Sequence, residues 1–412
     1  MKKTIQDQGA KHFQGKKVLV RVDFNVPQNE DGTVADDSRI KAALPTISWL
    51  AKAGAKVVLL SHLGRPKGKV AAKYSLKPVA EHLQKLLAEM GHKTVHFVDE
   101  CIGVKAEKAV NEMHDGDVAL MENVRFHEEE EKNEEGFAKK LSQLGEIYVN
   151  DAFGTAHRAH ASTEGVTKFL KPSLAGMLVA KEIEMLSSAL DKPIRPFATI
   201  IGGAKVSSKI GVLENLLSRV DVLVIGGAMA FSFLKAQGLN VGKSLVEEDR
   251  LAYCKELEEK AKAKGVKLIL PVDVVVAKEM KAGVATKVVK VGEIESDDIG
   301  LDLGPESLKL IVAALTPCKT ILWNGPLGVF EMAGFEHGTW ALIDCLVELT
   351  KSGTKTIVGG GDSVSALKLK GVADELLTHV GTGGGASLEF LEGIELPGIA
   401  ALDNKEAVAN KA

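Results

Sequence analysis

The chain has 412 residues, of which 45% are hydrophobic and 26% are charged, and its formal net charge is -3. This length predicts two or three domains with full hydrophobic cores and argues against wholesale disorder. Because 52 basic residues are balanced by 55 acidic ones, no overall basic excess points to a nucleic acid or an anionic membrane.

Neither the cysteines nor the apolar stretches suggest export or a membrane anchor. The four cysteines lie far apart in the sequence and form no CxxC pair, which is typical of thiols in a reducing cytosol. The N-terminus lacks the apolar core of a secretory signal. The longest uncharged apolar stretch, 222–234, is shorter than the roughly 18–20 residues of a spanning helix. We therefore expect a cytoplasmic protein.

Short apolar runs alternate with amphipathic, helix-like stretches along the chain. In the first half, strands are predicted at 17–22, 56–60, 95–98, 118–121 and 146–149, and helices at 40–52 and 76–89. In the second half, strands are predicted at 197–201, 222–225, 266–270, 272–276, 319–323 and 356–358, and helices at 208–218, 249–264, 307–315 and 339–350. Apolar strands that alternate with helices indicate βαβ units around a parallel sheet buried on both faces.

About a dozen strands are more than one sheet comfortably holds. The predicted fold class is therefore α/β, with two doubly wound parallel-sheet (Rossmann-like) domains joined by a hinge. The boundary is expected within residues 168–196, where three prolines interrupt the pattern around a helix-like stretch at 178–190. In such sheets ligands bind beyond the carboxyl ends of the strands, so the residues after each strand are the candidates for a site.

In the first half, cationic and hydrogen-bonding side chains follow the predicted strands. The strand ends read VDFN at 22–25, SHLGR at 61–65, ENVR at 122–125 and DAFGTAHRAH at 151–160. A single arginine there is usually a solvated surface residue. Five cations at corresponding places favour an anion site, because guanidinium groups bind phosphate and carboxylate in a bidentate fork. The five are Arg39, His62, Arg65, Arg125 and Arg158.

In the second half, glycines follow the strands instead. The loops read GGAK at 202–205, GGA at 226–228, GGGDS at 359–363 and GTGGG at 381–385. Glycine lets backbone N–H groups approach a phosphate closely, and the N-terminus of the next helix favours negative charge. Tight strand–helix turns also use glycine, but four such loops in one half favour a nucleotide site. Asp362 could hold Mg²⁺ beside the phosphates, and Lys205 and Lys209 share one helix face.

Three further motifs are predicted not to carry the function. The acidic run HEEEEKNEE at 127–135 could be a metal or partner site, but such charge runs are usually solvated loops or helix starts. GLNVGKS at 238–244 is one residue too short between its glycines for a P-loop. GTGGGA at 381–386 matches a dinucleotide-binding pattern, but too little chain follows it for the required βαβ unit.

Several of these segments occur together, in order, in one family. They are VDFNVP at 22–27, SHLGRP at 61–66, NDAFGTAHRAHAS at 150–162, GGAKVSSK at 202–209, GLDLGPES at 300–307, WNGPLGVFE at 323–331 and GGGDS at 359–363. By these motifs the chain resembles the phosphoglycerate kinase family. The match runs from about residue 17 to LPGIAAL at 396–402, which is nearly the whole chain.

The resemblance implies a two-domain, hinge-bending enzyme of glycolysis and gluconeogenesis that is commonly monomeric. It transfers a phosphoryl group reversibly between 1,3-bisphosphoglycerate and MgADP to give 3-phosphoglycerate and MgATP. The implied domains are an N-terminal phosphoglycerate-binding domain at 1–175 and a C-terminal nucleotide-binding domain at 176–391, with a tail at about 392–412 returning to the first. Mg²⁺ bound with the nucleotide is the implied cofactor, and no nucleic acid or membrane partner is expected.

The resemblance also implies roles for single residues. The phosphoglycerate is held by Asp23, Asn25, Arg39, His62, Leu63, Gly64, Arg65, Arg125 and Arg158. The nucleotide is held by Gly203, Lys209, Asn324, Glu331, Gly360, Gly361, Asp362 and Ser363, with Gly226, Gly227, Gly300 and Leu301 at its adenine end and Asp362 as the magnesium ligand. Ser363 stands where many members have threonine, so the hydroxyl is kept.

Phosphoryl transfer depends mainly on positioning and charge stabilisation. The nucleophile, a carboxylate or the β-phosphate of ADP, is largely ionised near pH 7, so no general base is required. We expect the negative charge of the transferred phosphoryl group to be stabilised by Arg39, Lys205 and the N–H groups of Gly360 and Gly361. Because the ligands belong to different domains, chemistry requires closure, with residues 170–196 as a hinge candidate.

Two other functions are compatible with parts of the pattern. An NAD-dependent dehydrogenase is suggested by GTGGGA and the α/β pattern, and an absorbance change with NAD and candidate alcohols would reveal it. A two-lobed solute-binding protein would share the domain architecture, and phosphate transfer between MgATP and 3-phosphoglycerate would exclude it.

Overall fold

The computed structural model describes residues 1–92 and 94–406, which divide into two units. Unit 1 comprises Met1–Ile183 and the C-terminal segment from Glu395 onward, and unit 2 comprises Glu184–Ile394. The sequence-based boundary at 175/176 falls just before helix Met177–Asp191, which contributes residues to both units. The end of the expected tail, 407–412, lies outside the described residues.

Unit 1 is built on a six-stranded parallel sheet. Its strands are β1 (Lys17–Val22), β2 (Lys56–Leu60), β3 (Val95–Val98), β4 (Val118–Met121), β5 (Ile147–Asp151) and β6 (Ser173–Ala175). They pair in the order β3-β4-β2-β1-β5-β6, with every pairing parallel. The central strands are buried almost throughout, which explains their near-continuous apolar sequences.

Helices alternate with these strands along the chain, as the sequence pattern predicts, and the last of them, α7, continues into unit 2. They are α1 (Ile5–Gln8), α2 (Ser38–Lys52), α3 (Lys77–Glu89), α4 (Gly103–Asn111), α5 (Glu128–Glu131), α6 (Glu135–Ser142) and α7 (Met177–Asp191). Helix α2 shows the cause of such packing, because Ile40, Ala43, Ile47 and Leu50 recur at helical spacing and are all buried. Short 3-10 helices at Val124–Phe126 and Phe153–Thr155 follow β4 and β5.

Unit 2 contains a second six-stranded parallel sheet and a smaller antiparallel one. In chain order its strands are β7 (Phe197–Ile201), β8 (Val222–Ile225), β9 (Lys267–Ile269), β10 (Asp273–Ala277), β11 (Lys287–Lys290), β12 (Ile299–Leu303), β13 (Thr320–Asn324), β14 (Lys355–Gly359) and β15 (His379–Val380). The parallel sheet has the order β15-β14-β13-β7-β8-β9, and the antiparallel one has the order β11-β10-β12. The helices are α8 (Ile210–Leu217), α9 (Ala230–Ala236), α10 (Leu251–Ala263), α11 (Pro305–Leu315), α12 (His337–Lys351), α13 (Gly361–Lys370) and α14 (Gly385–Leu391).

The antiparallel sheet corrects one prediction. The apolar run at 272–276 was assigned to the parallel sheet, but β10 pairs antiparallel with β11 and β12. Strand β11 is mostly exposed and two of its four residues are lysines, so it lacks the buried apolar pattern that identifies a strand. A single apolar run reveals a strand but not its partners.

The strand orders create one topological switch point in each unit. In unit 1 the chain proceeds from β1 outward to one side and later returns to β5 on the other, and in unit 2 β7 and β13 have the same relation. At such a point the loops leave the sheet in opposite directions and open a crevice at the carboxyl ends of the strands. The cationic loops of the first half follow β1, β2, β4 and β5, and the glycine loops of the second half follow β7, β8, β14 and β15.

The C-terminal segment, which includes α15 (Pro397–Ala400), packs within unit 1. The Asp403 carboxylate accepts the N–H of Ser173 at 2.9 Å and pairs with Lys171 at 2.6 Å. The Asn150 amide donates to the carbonyl of Gly398 at 3.1 Å. In the part of the chain that the structure describes, no helix is long and apolar enough to cross a membrane.

Candidate functional site

Hydrogen bonds in unit 1 join the loops that follow β1, β2 and β4. Arg39, at the start of α2, donates from Nη1 to the Asp23 carboxylate at 3.2 Å and to the carbonyl of Asn25 at 2.9 Å. The side-chain oxygen of Asn25 accepts the N–H of Gly64 at 2.8 Å. The carbonyl of Gly64 in turn accepts from Arg125 Nη1 at 3.0 Å. These contacts bring five predicted site residues together.

Gly64 occupies a position that only glycine fits. Its φ of +62° lies in the left-handed region. A Cβ built there would lie 2.4 Å from the ring of Tyr74. The loop can therefore pass tightly over Tyr74 and present both its N–H and its carbonyl to neighbouring site residues.

Two histidines in unit 1 are held neutral beside cations. Burial, followed by the positive charges of Arg21, Arg125 and Arg39, lowers the pKa of His62 well below its usual 6.5. Burial and the charges of Arg125 and Arg21 lower the pKa of His160 to about 3. At neutral pH the two imidazoles are therefore uncharged, and the positive charge of the site lies on the guanidinium groups.

Within the described part of the chain, the buried side chain of Arg125 has N–H donors without a partner, which also indicates an anion site. Its side chain is only 3% exposed, and its Nε lies 3.5 Å from a Glu131 carboxylate oxygen. Among the described residues its buried Nη2 has no hydrogen-bond partner. A buried cationic donor without a partner is costly, so a bound anion would supply what the protein leaves open.

The remaining predicted residues of unit 1 differ in their surroundings. Arg158 donates from Nε to His157 at 3.2 Å, and its charge acts on both His160 and Arg125. Arg65 is exposed on the same loop as Gly64. The side chain of Leu63 is buried in the hydrophobic core, so only its backbone could contact a ligand.

Sequence reasoning missed the residues beneath this surface. Arg21, Asn123, Glu130 and Ser162 are fully buried and hydrogen-bonded to the predicted residues or to their neighbours. An arginine inside the apolar strand KVLVRV was a signal that could have identified Arg21. The acidic run at 127–135, expected to be a solvated loop or a helix start, contains α5 and the first residue of α6, and Glu130 within it has no exposed surface.

Unit 2 contains a cavity of about 300 Å³ at the carboxyl ends of β7, β13 and β14. Seven predicted residues line it, namely Gly203, Lys205, Lys209, Asn324, Gly360, Gly361 and Asp362. The lining also includes Gly202, Ala204, Ser208, Gly325 and Leu388, which were not named as nucleotide residues. It does not include Gly226, Gly227, Gly300, Leu301, Glu331 or Ser363.

Close backbone contact at the switch point explains the glycines of this cavity. A Cβ on Gly202 would lie 2.5 Å from the carbonyl oxygen of Gly325, so the loops after β7 and β13 touch through their backbones. Gly360 precedes α13 with a φ of +90°. The first N–H groups of α13 have no intrahelical partner and can bind an anion.

The polar side chains of the cavity are suited to phosphate. Lys209 donates from Nζ to Asn324 Oδ1 at 2.6 Å, and burial lowers its pKa while the charge of Asp362 opposes that effect. Asn324 Nδ2 is buried without a partner among the described residues. Ser363 accepts the N–H of Gly325 at 2.7 Å and supports the loop from below.

Asp362 supplies a carboxylate in the first turn of α13, on the cavity lining. One carboxylate beside phosphate-binding groups is the donor set that Mg²⁺ uses when it binds together with nucleotide phosphates. The residues present therefore fit a magnesium ion that arrives with the nucleotide.

The residues expected at the adenine end are tightly packed. A Cβ on Gly300 would lie 2.0 Å from the Phe231 ring, and one on Gly226 would lie 2.4 Å from Leu327. Leu301 is only 6% exposed. Both glycines are therefore required by packing within unit 2 alone, whether or not they also contact a ligand.

Comparison with known proteins gives a consistent result. The family model for phosphoglycerate kinase matches residues 7–394. The phosphoglycerate kinase of Parasynechococcus marenigrum (strain WH8102) is 57% identical over 403 residues, covering 98% of this chain and 99% of the relative. That of Gloeothece citriformis (strain PCC 7424) is 56% identical over 402 residues, covering 98% and 99%. The solved structure of phosphoglycerate kinase from Coxiella burnetii matches with a TM-score of 0.85 at 42% identity, covering 94% of this chain and 96% of that one.

Proposed function

The chain belongs to the phosphoglycerate kinase family, and from this membership we propose that unit 1 binds the phosphoglycerate and unit 2 the nucleotide. The enzyme is a glycolytic phosphotransferase, which moves a phosphoryl group reversibly between 1,3-bisphosphoglycerate and ADP to form 3-phosphoglycerate and ATP. The observation that carries the division of roles is the contrast between the two sites. One gathers guanidinium groups around neutral histidines, and the other is a glycine-lined cavity with two lysines and a carboxylate.

The charge of the ligand supports the assignment of unit 1. 3-Phosphoglycerate carries a phosphate and a carboxylate, and guanidinium groups are the side chains that bind both in a fork. We assign Arg39, Arg65, Arg125 and Arg158 to this anion, with His62 as a neutral hydrogen-bond donor. Asp23 and Asn25 orient Arg39 through the contacts described above.

The nucleotide phosphates are assigned to the cavity of unit 2. Lys209 and the N–H groups at the start of α13 bind phosphate oxygens, and Asp362 holds the magnesium ion. That ion neutralises charge on the phosphate oxygens when it is bound. Glu331 is also assigned to the nucleotide, and its adenine end is assigned to Gly226, Gly227, Gly300 and Leu301, which lie outside the cavity lining.

No residue has to remove a proton in this reaction, because both nucleophiles are already ionised near pH 7. The protein instead positions the two ligands and stabilises the moving phosphoryl group, for which we assign Arg39 and Lys205 with the N–H groups of Gly360 and Gly361. Transfer requires closure that aligns the two ligands and excludes water, which would otherwise hydrolyse the acyl phosphate.

A coupled assay with MgATP and 3-phosphoglycerate tests the activity directly. We expect saturable turnover that depends on both substrates. No turnover with them, together with an absorbance change on adding NAD and an alcohol, would favour a dehydrogenase instead.

The variant His62→Gln tests the division between the units. We expect weaker binding of 3-phosphoglycerate and unchanged binding of MgADP in separate titrations, because His62 lies in unit 1. Equal weakening of both would contradict two separate sites.

We further propose that the enzyme is a cytoplasmic monomer. All four cysteines are free thiols, as is usual in a reducing compartment. Light scattering on the purified protein measures its oligomeric state, and a mass twice that of the chain would contradict the proposal.

A further inference from the structure

A chain of four buried, hydrogen-bonded residues in unit 1 ends at His62, one of the residues assigned to phosphoglycerate. Glu130, Ser162 and Arg21 have no exposed surface, and His62 is 3% exposed. We call Glu130, Ser162, Arg21 and His62 the buried hydrogen-bond chain. Of these, only His62 is assigned to the phosphoglycerate site, and the role of the other three polar residues is not yet explained.

The contacts run in one continuous series. Glu130 Oε1 accepts the hydroxyl of Ser162 at 2.5 Å, and Glu130 Oε2 accepts the N–H of Ser162 at 2.9 Å. Ser162 Oγ accepts from Arg21 Nε at 2.7 Å. Arg21 Nη2 lies 3.2 Å from His62 Nδ1, and Arg21 Nη1 donates to the carbonyl of Val22.

The chemistry of these groups fixes the direction of each hydrogen bond. A guanidinium has only donors, so Arg21 must donate to both Ser162 Oγ and His62 Nδ1. The single hydroxyl proton of Ser162 then has to go to Glu130, whose two oxygens both act as acceptors. His62 Nδ1 therefore carries no proton, and the proton of the neutral ring lies on Nε2.

We propose that Glu130, Ser162 and Arg21 are positioning residues that keep His62 in its Nε2-protonated form and orient the ring as a hydrogen-bond donor to phosphoglycerate. The proposal rests on the proposed function of unit 1. The surrounding charges agree with it, because Arg125 and Arg39 also face His62 and oppose its protonation to a cation. A neutral N–H group with a fixed orientation makes a directional hydrogen bond to the phosphoglycerate, whereas a further positive charge would attract the ligand without fixing its position.

The first test measures the tautomer of His62 in the wild-type protein. Histidine-selective ¹⁵N labelling and long-range ¹H–¹⁵N correlation spectra distinguish the two ring forms, and the His62 signals are those missing in His62→Gln. We expect an unprotonated Nδ1 and a protonated Nε2, with or without bound 3-phosphoglycerate. A protonated Nδ1 would overturn the proposal. This measurement needs neither activity nor a folded variant of the buried residues.

The second test uses Ser162→Ala and Glu130→Gln. The first removes the acceptor for Arg21 Nε. In the second, the amide has only one oxygen, so it cannot accept from both the N–H and the hydroxyl of Ser162 as Glu130 does. The Ser162 hydroxyl, which accepts from Arg21, is therefore displaced. We expect the Kd for 3-phosphoglycerate to rise at least about tenfold, the scale of one charge-assisted hydrogen bond, with the Kd for MgADP within about twofold of wild type. The ¹⁵N spectrum should show mixed His62 tautomers.

Tyr148→Phe is the matched control. The Tyr148 hydroxyl is also fully buried and donates to the backbone carbonyl of Ser162 at 2.8 Å, and its hydrogen bonds among the described residues go to backbone carbonyls rather than to a side chain of the buried hydrogen-bond chain. We expect it to lower stability without changing the His62 tautomer or the Kd for 3-phosphoglycerate. If Tyr148→Phe weakened that binding as much as Ser162→Ala, the chain would have a purely structural role.

The outcomes separate this proposal from the proposed function. If the wild-type protein did not bind 3-phosphoglycerate, the function assigned to unit 1 would be wrong, and the proposal that depends on it would fall with it. If the wild-type protein bound the ligand but Ser162→Ala, folded as judged by circular dichroism, bound it equally well, the positioning role alone would be wrong.

Discussion

Replacing Arg39 by alanine should separate catalysis from stability. Arg39 contacts Asp23 at 3.2 Å, and the two side chains are 39% and 12% exposed. An ion pair with one partner so open to solvent contributes at most about 1 kcal/mol to the free energy of unfolding. With its side chain 39% exposed, Arg39 is not a core residue, so the variant should fold.

The expected catalytic loss is much larger than the loss of stability. Removing one preorganised group that stabilises transition-state charge costs about 2.7–4 kcal/mol, which corresponds to roughly a 10²- to 10³-fold lower kcat. The coupled assay with MgATP and 3-phosphoglycerate measures kcat and KM, and urea unfolding of the same preparations measures the free energy of unfolding. Arg39→Lys keeps the charge but not the guanidinium, whose Nη1 donates to both Asp23 and Asn25 while its other N–H groups stay available to a ligand, so we expect only partial recovery.

Arg250→Ala is the matched control for this experiment. Arg250 also forms an ion pair, with Asp249 at 3.3 Å, and its side chain is 40% exposed, close to the exposure of Arg39. Arg250 belongs neither to the residues assigned to a ligand nor to the hinge candidate, so the kcat of this variant should equal that of the wild type. A near-wild-type kcat for Arg39→Ala would refute its assignment to the moving phosphoryl group. A stability loss of several kcal/mol would show that Arg39 is instead structural.

Three further outcomes are expected. Lys205→Ala should lower kcat about 10²-fold in the coupled assay, whereas a rise only in the KM for nucleotide would make Lys205 a binding residue. Asp362→Asn should raise the Mg²⁺ concentration needed for half-maximal activity while leaving 3-phosphoglycerate binding unchanged, and an unaltered Mg²⁺ titration would exclude it as a ligand. Below about pH 6.5 the unfolded chain protonates His160 but the folded chain, where its pKa is about 3, does not, so this residue lowers stability as the pH falls. His160→Gln should reduce the drop in unfolding free energy between pH 7 and pH 5, measured in urea, and an unchanged drop would contradict the assigned pKa.

Most of the predicted strands that coincide with the structure are buried on both faces, although β3 at 95–98 coincides too and is only partly buried. The runs at 17–22, 56–60 and 197–201 coincide with β1, β2 and β7, because a central parallel strand must be apolar at nearly every position. Strand β11 escaped prediction because it is largely exposed. Strand β10 was found but placed in the wrong sheet, since pairing partners depend on segments distant in the sequence.

The candidate site shows the same limit at the level of single residues. Loop motifs identified Gly203, Lys209 and Asp362, which the structure gathers around one cavity. They could not reveal that Gly300 packs against Phe231, because that contact joins two distant segments. The acidic run at 127–135 does start helices, but its pattern could not reveal the burial of Glu130, which depends on a hydrogen bond from the distant Ser162.

The amino-acid sequence by itself determined the fold class and the family, because strand periodicity and loop chemistry are local properties that each segment carries alone. It also indicated an anion site in one half and a nucleotide site in the other. Only the tertiary structure decided which groups are charged and where their protons lie. His62 is neutral, and its Nδ1 faces Arg21, because burial and the neighbouring guanidinium groups act on it through space. Such interactions depend on distances between residues far apart in the chain, which no local pattern encodes.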